Sequence, residues 1–392
     1  MKKIFVVTLL LLLTLSLMAC AGNSTPTPPP TPAPTPTPAP TPSPTPAPAT
    51  DGLTLENIKI GFVHITEPAD MGYTYNHHQG TLKMMQTLGI KENQVINKFN
   101  ISEDSSCDTA IRELVESGCK IIFATSFGFE SFMIEVAREY PNIQFCHATG
   151  YQAAMSGLPN MHNYFGSIYQ ARYLSGIAAG LKTKTNKLGY VSAQPFAECI
   201  SGYNGFYLGA LSVNPNVTMD VIYTNSWYDP PGESRAAQAL IDRGCDVIGQ
   251  HCDSPSPQTT AETNGVWGVG YNSDMIGAAP KAALTSAIWD WGIYLIFAVQ
   301  TLVDGGTIPV DWSGGLKEGV VGLSPLNKDI IAPGTAEAIE AARQKIIGGW
   351  DVFTGPLYDN QGNLVVEDGV TFVEPQSAPS FDHILKGITV VE

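Results

Sequence analysis

Apolar and polar positions along this chain follow two periods in turn, and the switching between them predicts strands and helices in regular succession. An apolar run over Lys59–Ile65 reads as a buried strand, and Asn76–Leu88 has helical spacing that stops at Gly89. Thr109–Ser117 reads as a helix closed by Gly118, followed by a strand over Lys120–Ala124. Phe132–Tyr140 is helical and halts before Pro141, since a residue ahead of proline disfavours helical geometry. The next strand is Ile143–His147.

The same pattern then returns. Asn57-Ile-Lys-Ile-Gly61-Phe-Val63 matches Asn186-Lys-Leu-Gly189-Tyr-Val191 at an offset of 128 residues. Glu113-Leu-Val-Glu-Ser-Gly118-Cys-Lys-Ile-Ile122 matches Ala239-Leu-Ile-Asp-Arg-Gly244-Cys-Asp-Val-Ile248 at 126. Two matches at nearly one offset indicate an internal duplication. The second copy predicts strand Lys187–Ala193, a helix near Ser201–Val213, strand Thr218–Thr224, helix Glu233–Arg243 and strand Asp246–Gln250. A short helix and strand Gly265–Gly270 complete it. Alternation of this kind implies an α/β chain whose parallel sheets carry helices on both faces. Beyond the repeats, Leu284–Val303 reads as one long apolar helix, Lys317–Leu323 as a strand and Thr335–Ile347 as a helix. Gly355–Gly362 is turn-rich, as in a hairpin. A segment returning after two complete repeats suggests several crossings between lobes, which make a hinge.

The N-terminus adds an address. Lys2 and Lys3 precede an apolar stretch, Ile4 to Leu17, too short to span a bilayer comfortably but suited to an export signal. It ends in Leu17-Met18-Ala19-Cys20, which resembles a bacterial lipobox, with cleavage before Cys20 and lipid on its thiol. From Pro26 to Pro48 there are thirteen prolines among Thr, Ala and Ser. Such a run cannot bury enough apolar area to fold; as polyproline II, at roughly 3.1 Å per residue, it makes a stiff spacer on the order of 75 Å long. Residues 1–19 are therefore expected to be a signal peptide, 20–50 an anchor and linker, and 51–392 a two-lobed body. Lobe 1 is expected over about 55–165 plus 280–315, and lobe 2 over about 166–279 plus 316–392.

Net charge is −15, and removing Lys2 and Lys3 makes the mature chain two units more negative. An acidic body without a basic stripe argues against nucleic-acid binding. Besides Cys20 there are Cys107, Cys119, Cys146, Cys199, Cys245 and Cys252. No pair has C-x-x-C spacing, so no zinc pattern emerges, and disulfide partners stay open.

Ligands of open parallel α/β sheets bind beyond the C-terminal ends of the strands. The residues that follow the expected strands are, in the first copy, Asp70, Tyr73, Tyr75 and Asn76, then Ser126, Phe127 and Phe129, then Thr149 and Tyr151. In the second they are Pro195, Phe196 and Glu198, then Asn225, Trp227, Tyr228 and Asp229, then His251, Cys252 and Asp253, and lastly Tyr271, Asn272 and Asp274. Rings with a few carboxylates and amides suit a planar heterocycle, stacked on its faces and hydrogen-bonded at its edge. No nucleophile elbow, P-loop, zinc-protease helix or dinucleotide fingerprint is found. No catalysis, cofactor or metal is expected.

Several segments carry a family resemblance: Gly72-Tyr-Thr-Tyr-Asn-His-His-Gln-Gly80, Ile122-Phe-Ala-Thr-Ser-Phe-Gly128 and Tyr169-Gln-Ala-Arg-Tyr-Leu-Ser-Gly-Ile-Ala-Ala-Gly180. Further segments are Asn225-Ser-Trp-Tyr-Asp229, Gln250-His-Cys-Asp-Ser254, Gly270-Tyr-Asn-Ser-Asp274 and Leu284-Thr-Ser286. Together they resemble the basic membrane lipoprotein (BMP) family, which includes purine nucleoside receptors, from about Ile58 to the C-terminus. The resemblance implies a type I periplasmic-binding fold, two doubly wound parallel-sheet lobes on a multi-crossing hinge, and partnership with an ABC permease and ATPase. With the N-terminal anchor, a monomer on the outer face of the cell membrane is expected. In nucleoside-binding members an Asp at the place of Asp274 and a Lys in a Thr-Ser-x-x-Lys motif hold the ribose hydroxyls. Here Trp289 stands in the lysine's position, which favours adenine or another free nucleobase over a nucleoside. The expected walls are Tyr73, Phe127, Trp227 and Trp289, and the expected edge partners Asn76, Asp253, Asn272 and Asp274. The same fold binding a sugar or amino acid, or serving as a signalling surface lipoprotein, is the alternative.

Overall fold

Gly118 and Gly244 end equivalent helices with backbone φ of 89° and 90°, a left-handed conformation that a Cβ disfavours. Asn100 and Asn225 (56° and 57°), and Thr149 and Asn272 (both 67°), repeat the correspondence after equivalent strands. The duplication read from side chains is thus also written in the backbone.

The computed structural model describes residues 52–391. The signal peptide, Cys20 and the proline-rich linker lie outside the described residues. The first copy runs β1 (Ile60–Val63), α1 (Tyr73–Leu88), β2 (Val95–Lys98), α2 (Ser105–Glu116), β3 (Ile121–Ala124), α3 (Glu130–Glu139), β4 (Gln144–Ala148), α4 (Ala153–Ser156) and β5 (Met161–Gly166). After α5 (Ile168–Lys182), the second runs β6 (Lys187–Ser192), α6 (Ala197–Val213), β7 (Thr218–Tyr223), α7 (Pro230–Asp242), β8 (Val247–His251), α8 (Ser256–Thr263) and β9 (Trp267–Asn272). There follow β10 (Ala283–Trp289), α9 (Gly292–Val303), β11 (Asp311–Gly314), β12 (Val321–Leu323) and α10 (Thr335–Ile347). The hairpin β13 (Leu357–Tyr358) and β14 (Leu364–Val366) precedes the last strand, β15 (Ile388–Val390).

The first sheet has the order β11-β5-β4-β3-β1-β2 and the second β12-β10-β9-β8-β6-β7-β15. Each therefore contains the same five-strand succession, second-first-third-fourth-fifth. Within these two sheets all pairings are parallel except β10 with β12. Order reverses beside β1 and β6, so the C-terminal ends of β1/β3 and β6/β8 mark the crevices where such sheets take ligands.

The expected helix over Leu284–Val303 is two elements. Ala283–Trp289 is β10 of the second sheet, and the helix starts only at Gly292. A continuous apolar run fits a strand covered on both faces as well as a buried helix, so its period cannot separate them. The residues from 283 to 289 consequently stand with the second sheet, whereas the sequence reading grouped 280–315 with lobe 1.

Among the described residues the chain passes between the sheets after β5, after β10 and after β11, and these passages lie side by side. Ser167 N–H donates to the Gly314 carbonyl at 2.8 Å, and Asp290 N–H to the Val320 carbonyl at 2.8 Å. Helices α5 and α6 then press together through glycines: a Cβ on Gly176 would fall 1.9 Å from the Phe206 carbonyl oxygen, and one on Gly209 1.9 Å from that of Tyr173. That close approach brings Arg172 of α5 and the first turn of α6 to the same end of the sheet. All six described cysteines are buried and free. No described helix is long and apolar enough to cross a membrane.

Candidate ligand-binding site between the lobes

Asp70 decides where α1 begins. Its buried carboxylate accepts the N–H groups of Gly72 (2.7 Å), Thr74 (3.2 Å) and Tyr75 (3.0 Å), satisfying donors a helix start leaves open. This aims Tyr73 and Asn76 at the second lobe. The lobes meet closely there: a Cβ on Gly72 would lie 2.1 Å from the Asp253 carbonyl oxygen. Asn76 Nδ2 donates to the Asn272 carbonyl at 2.7 Å, and Ser273 Oγ donates to the Met71 carbonyl.

Beside these bridges lies a partly open chamber. From lobe 1 it is lined by Ile65, Tyr73, Ser126, Phe127 and Thr149, and from lobe 2 by Glu198, Trp227, His251, Asp253 and Tyr271. Its free space is about 20 Å³, whereas a mouth beside Glu67, Glu103 and Tyr228 measures about 500 Å³ and one beside Tyr151, Phe196 and Pro379 about 330 Å³. Size alone favours the first mouth, but the chemistry favours the inner chamber. Of the buried atoms without a partner among the described residues, Tyr73 Oη, Glu198 Oε2 and both His251 nitrogens belong to lining residues, and Asn272 Oδ1 and Arg172 Nε and Nη2 to side chains bonded to or stacked on that lining; others, such as Tyr164 Oη and Trp291 Nε1, lie elsewhere. A buried polar atom left unpaired costs about 1–3 kcal/mol, so such a cluster marks a place where a ligand supplies the missing partners.

The lobe 2 wall is held from behind. Trp227 stays in place because its carbonyl accepts the Asp253 N–H at 2.9 Å, while Glu233 accepts from Ser254 Oγ and from Asp229 N–H at 3.0 Å. Arg172, 2 % exposed, stacks its guanidinium 3.9 Å from the Tyr271 ring centre and donates to the Gln250 carbonyl (2.8 Å) and the Tyr190 hydroxyl. Glu198 sits in the first turn of α6 with Oε1 3.4 Å from His251 Nε2. Burial pushes its carboxyl up to about 8, against the pull of Arg172 and with a smaller push from Glu103. Burial also drives Asp253 well above and His251 well below their ordinary values. The chamber is therefore polar but poor in charge.

Of the residues expected from sequence, Tyr73, Phe127, Trp227 and Asp253 line the chamber. Asn76 and Asn272 stand at its rim: besides the inter-lobe bond, Asn272 Nδ2 donates to Asp253 Oδ1 at 2.8 Å. Two residues stand elsewhere. Asp274 is exposed and accepts the Ile276 N–H at 3.0 Å, because the chain has already turned away from the cleft after β9. Trp289 is not among the residues lining the chamber. It ends β10 with its ring in the hinge core, 4.3 Å from that of Trp291 and 4.8 Å from that of Phe165, and meets the lining edge-on at Tyr73, 6.5 Å between ring centres, and by donating to the Tyr271 hydroxyl at 3.3 Å. With Ile65, the residues Glu198, His251, Tyr271, Ser126 and Thr149 complete the lining, and those five were marked by placement after an expected strand. Arg172 carried a different signal, a lone charge in an otherwise apolar helical run.

The family model for PnrA-like ABC transporter substrate-binding proteins matches residues 58–352. The chain belongs to this family. A purine-binding protein of Brucella abortus is 37 % identical over 315 residues, covering 80 % of this chain and 88 % of that protein. A Haloferax volcanii protein described as "Putative ABC transporter glucose-binding protein TsgA13" is 33 % identical over 321 residues, covering 81 % and 80 %. Among solved structures, an ABC transporter solute-binding protein from Aeropyrum pernix superposes with a TM-score of 0.64 at 18 % identity, over 74 % of this chain and 92 % of that one. One from Conexibacter woesei gives 0.60 at 18 %, over 74 % and 97 %. At such identity these two show the fold, which is the type I periplasmic-binding architecture. As a PnrA-like protein, the chain is a substrate-binding component of an ABC transporter, and its inter-lobe chamber is the place to look for the substrate.

Proposed function

We propose that this protein captures a purine-type heterocycle between its lobes, a free nucleobase such as adenine in preference to a nucleoside, and hands it to an ABC permease and ATPase. The observation that carries this is the inter-lobe chamber whose lining joins the rings of Tyr73, Phe127, Trp227 and Tyr271 to unpaired polar atoms of Tyr73, Glu198 and His251. Rings supply stacking faces, and the polar atoms supply edge partners. The purine-binding relative supports the same class. A free base is favoured because neither position that the family resemblance linked to ribose serves the chamber: Asp274 faces solvent, and an indole stands at 289 where an ammonium would be needed. With the Asn76 and Ser273 bridges formed the free space is about 20 Å³, room for about one water, so the lobes part and the lining side chains make room for the ring before the bridges close.

The anchor belongs to the same proposal. Export by residues 1–19, lipid on Cys20 and a stiff spacer to about residue 50 would hold a monomeric receptor outside the membrane, within reach of its permease. Titration calorimetry against adenine, hypoxanthine, adenosine, inosine and glucose tests the ligand class. Tight binding of the free bases supports the proposal; tight binding of nucleosides alone, or of glucose alone as the archaeal relative's description would suggest, overturns it.

A further inference from the structure

Glu198 has the geometry of a reading group. It is 7 % exposed, lines the inner chamber, and leaves Oε2 without a partner among the described residues. The other carboxyls nearby each have one oxygen engaged by hydrogen bonds, whereas Glu198 accepts none. Asp253 Oδ1 accepts from Asn272 Nδ2 at 2.8 Å, and Glu103 Oε1 accepts from Ser126 Oγ at 2.6 Å and Gly128 N–H at 2.7 Å. Of the nearby cations, Arg172 spends Nη1 on Tyr190 and Gln250 and lies against the Tyr271 ring, and no hydrogen bond joins its remaining Nε and Nη2 to Glu198. His251, 3.4 Å away, is buried and favours its neutral form.

We infer that Glu198 is the specificity-determining contact of this site, presenting one donor and one acceptor side by side to the six-position edge of the bound ring. The inference rests on the purine reading above and adds the residue and the edge. Its chemistry follows from counting hydrogen-bond groups. A neutral carboxyl donates through its O–H and accepts through its C=O. Adenine offers the complement on one edge, an amine hydrogen beside the acceptor N1, and hypoxanthine offers O6 beside N1–H. Unsubstituted purine offers the acceptor alone, so one of the two bonds is lost. The neutral form agrees with the surroundings: burial raises the carboxyl, Arg172 on α5 opposes that, and Glu103 ahead of α2 reinforces it. The remaining groups facing it are Tyr73 from α1, His251 and Asp253 at the end of β8, and Tyr271 on β9.

Calorimetry of the full mature chain with adenine and with unsubstituted purine reads the contact as a ratio, which a partly unfolded sample does not distort. The wild type is expected to bind adenine about tenfold more tightly than purine, the worth of one net hydrogen bond. Glu198→Gln, whose amide also sets a donor beside an acceptor, should keep both affinities within about threefold. Glu198→Ala should bring the two ligands to equal affinity. Equal binding of adenine and purine by the wild type overturns the assignment without touching the purine reading, and needs no variant. A Glu198→Gln protein that loses adenine as fully as Glu198→Ala also overturns it, because an ionised carboxylate would then be the reader. No binding of either ring by the wild type instead sinks the purine reading.

Discussion

Asn76 of the first lobe donates its side-chain amide to the backbone carbonyl of Asn272 in the second, at 2.7 Å, across the mouth of a chamber that neither lobe forms alone. Asn272 can turn that carbonyl inward because it holds φ at 67°, a left-handed conformation asparagine tolerates better than most residues. Its equivalent in the first copy, Thr149, holds the same angle and lines the chamber. A β-branched residue there is strained, and such strain gathers at functional sites.

Removing the bridge should loosen closure more than it weakens the fold. Asn76→Ala is expected to lower ligand affinity about three- to tenfold, chiefly through faster release, with little change in melting temperature. Stopped-flow displacement together with calorimetry checks this. An unchanged release rate would mean the bond does not hold the lobes shut.

The ring walls make a larger and more local prediction. Trp227→Ala removes a stacking face, and base–aromatic stacking is worth about 1–3 kcal/mol, so a heterocycle should bind at least about tenfold more weakly. Phe127→Ala should act similarly, with some loss to repacking of Phe196, whose ring lies 5.0 Å away. Trp289→Phe should instead change melting temperature more than affinity, since that ring packs in the hinge core. Parallel calorimetry and thermal melts separate the cases.

Glycine contacts between α5 and α6 can be tested without any ligand. Alanine is normally the better helix former by about 1 kcal/mol. At Gly176 and Gly209 the added Cβ would sit 1.9 Å from a carbonyl oxygen of the facing helix, so overlap should outweigh propensity. Gly176→Ala and Gly209→Ala are expected to destabilise by about 1–3 kcal/mol. Chemical denaturation measures this, and a stabilised variant would contradict the close approach.

The raised carboxyl of Glu198 also has a stability signature. A folded-state value of about 8, above the ordinary carboxyl range, means the folded form holds its proton more tightly than the unfolded chain. The contribution is full at pH below about 4.5 and is lost as pH rises toward 8. Buried His251 works in the opposite sense, so the readout is the difference between wild type and Glu198→Gln. Between pH 5 and 8 the wild type should lose melting temperature relative to the variant. A constant gap across that range would show that the carboxyl titrates at its ordinary value.

Much of the fold was legible in the sequence because it is local and repeated. Gly118 and Gly244 announced two equivalent helix ends, and Thr335–Ile347 is a helix over the expected span. The stretch 283–289 was not legible, since an apolar run covered on all sides has no polar face to reveal its period. Site residues divide in the same manner. Tyr73, Phe127, Trp227 and Asp253 follow strands and line the chamber, whereas Asp274 and Trp289 also lie at strand ends and turn elsewhere.

By itself the sequence determined the alternating α/β pattern, its duplication, the family and the set of strand ends from which a site could be built, because each depends on neighbours close along the chain or on a motif shared with relatives. Only the tertiary structure decided which side chains face one another, since Asn76 and Asn272, or Arg172 and Tyr271, are brought together by a hinge crossed after each copy and by two helices pressed close on their glycines. Facing is a property of packing between distant segments, and no local pattern encodes it.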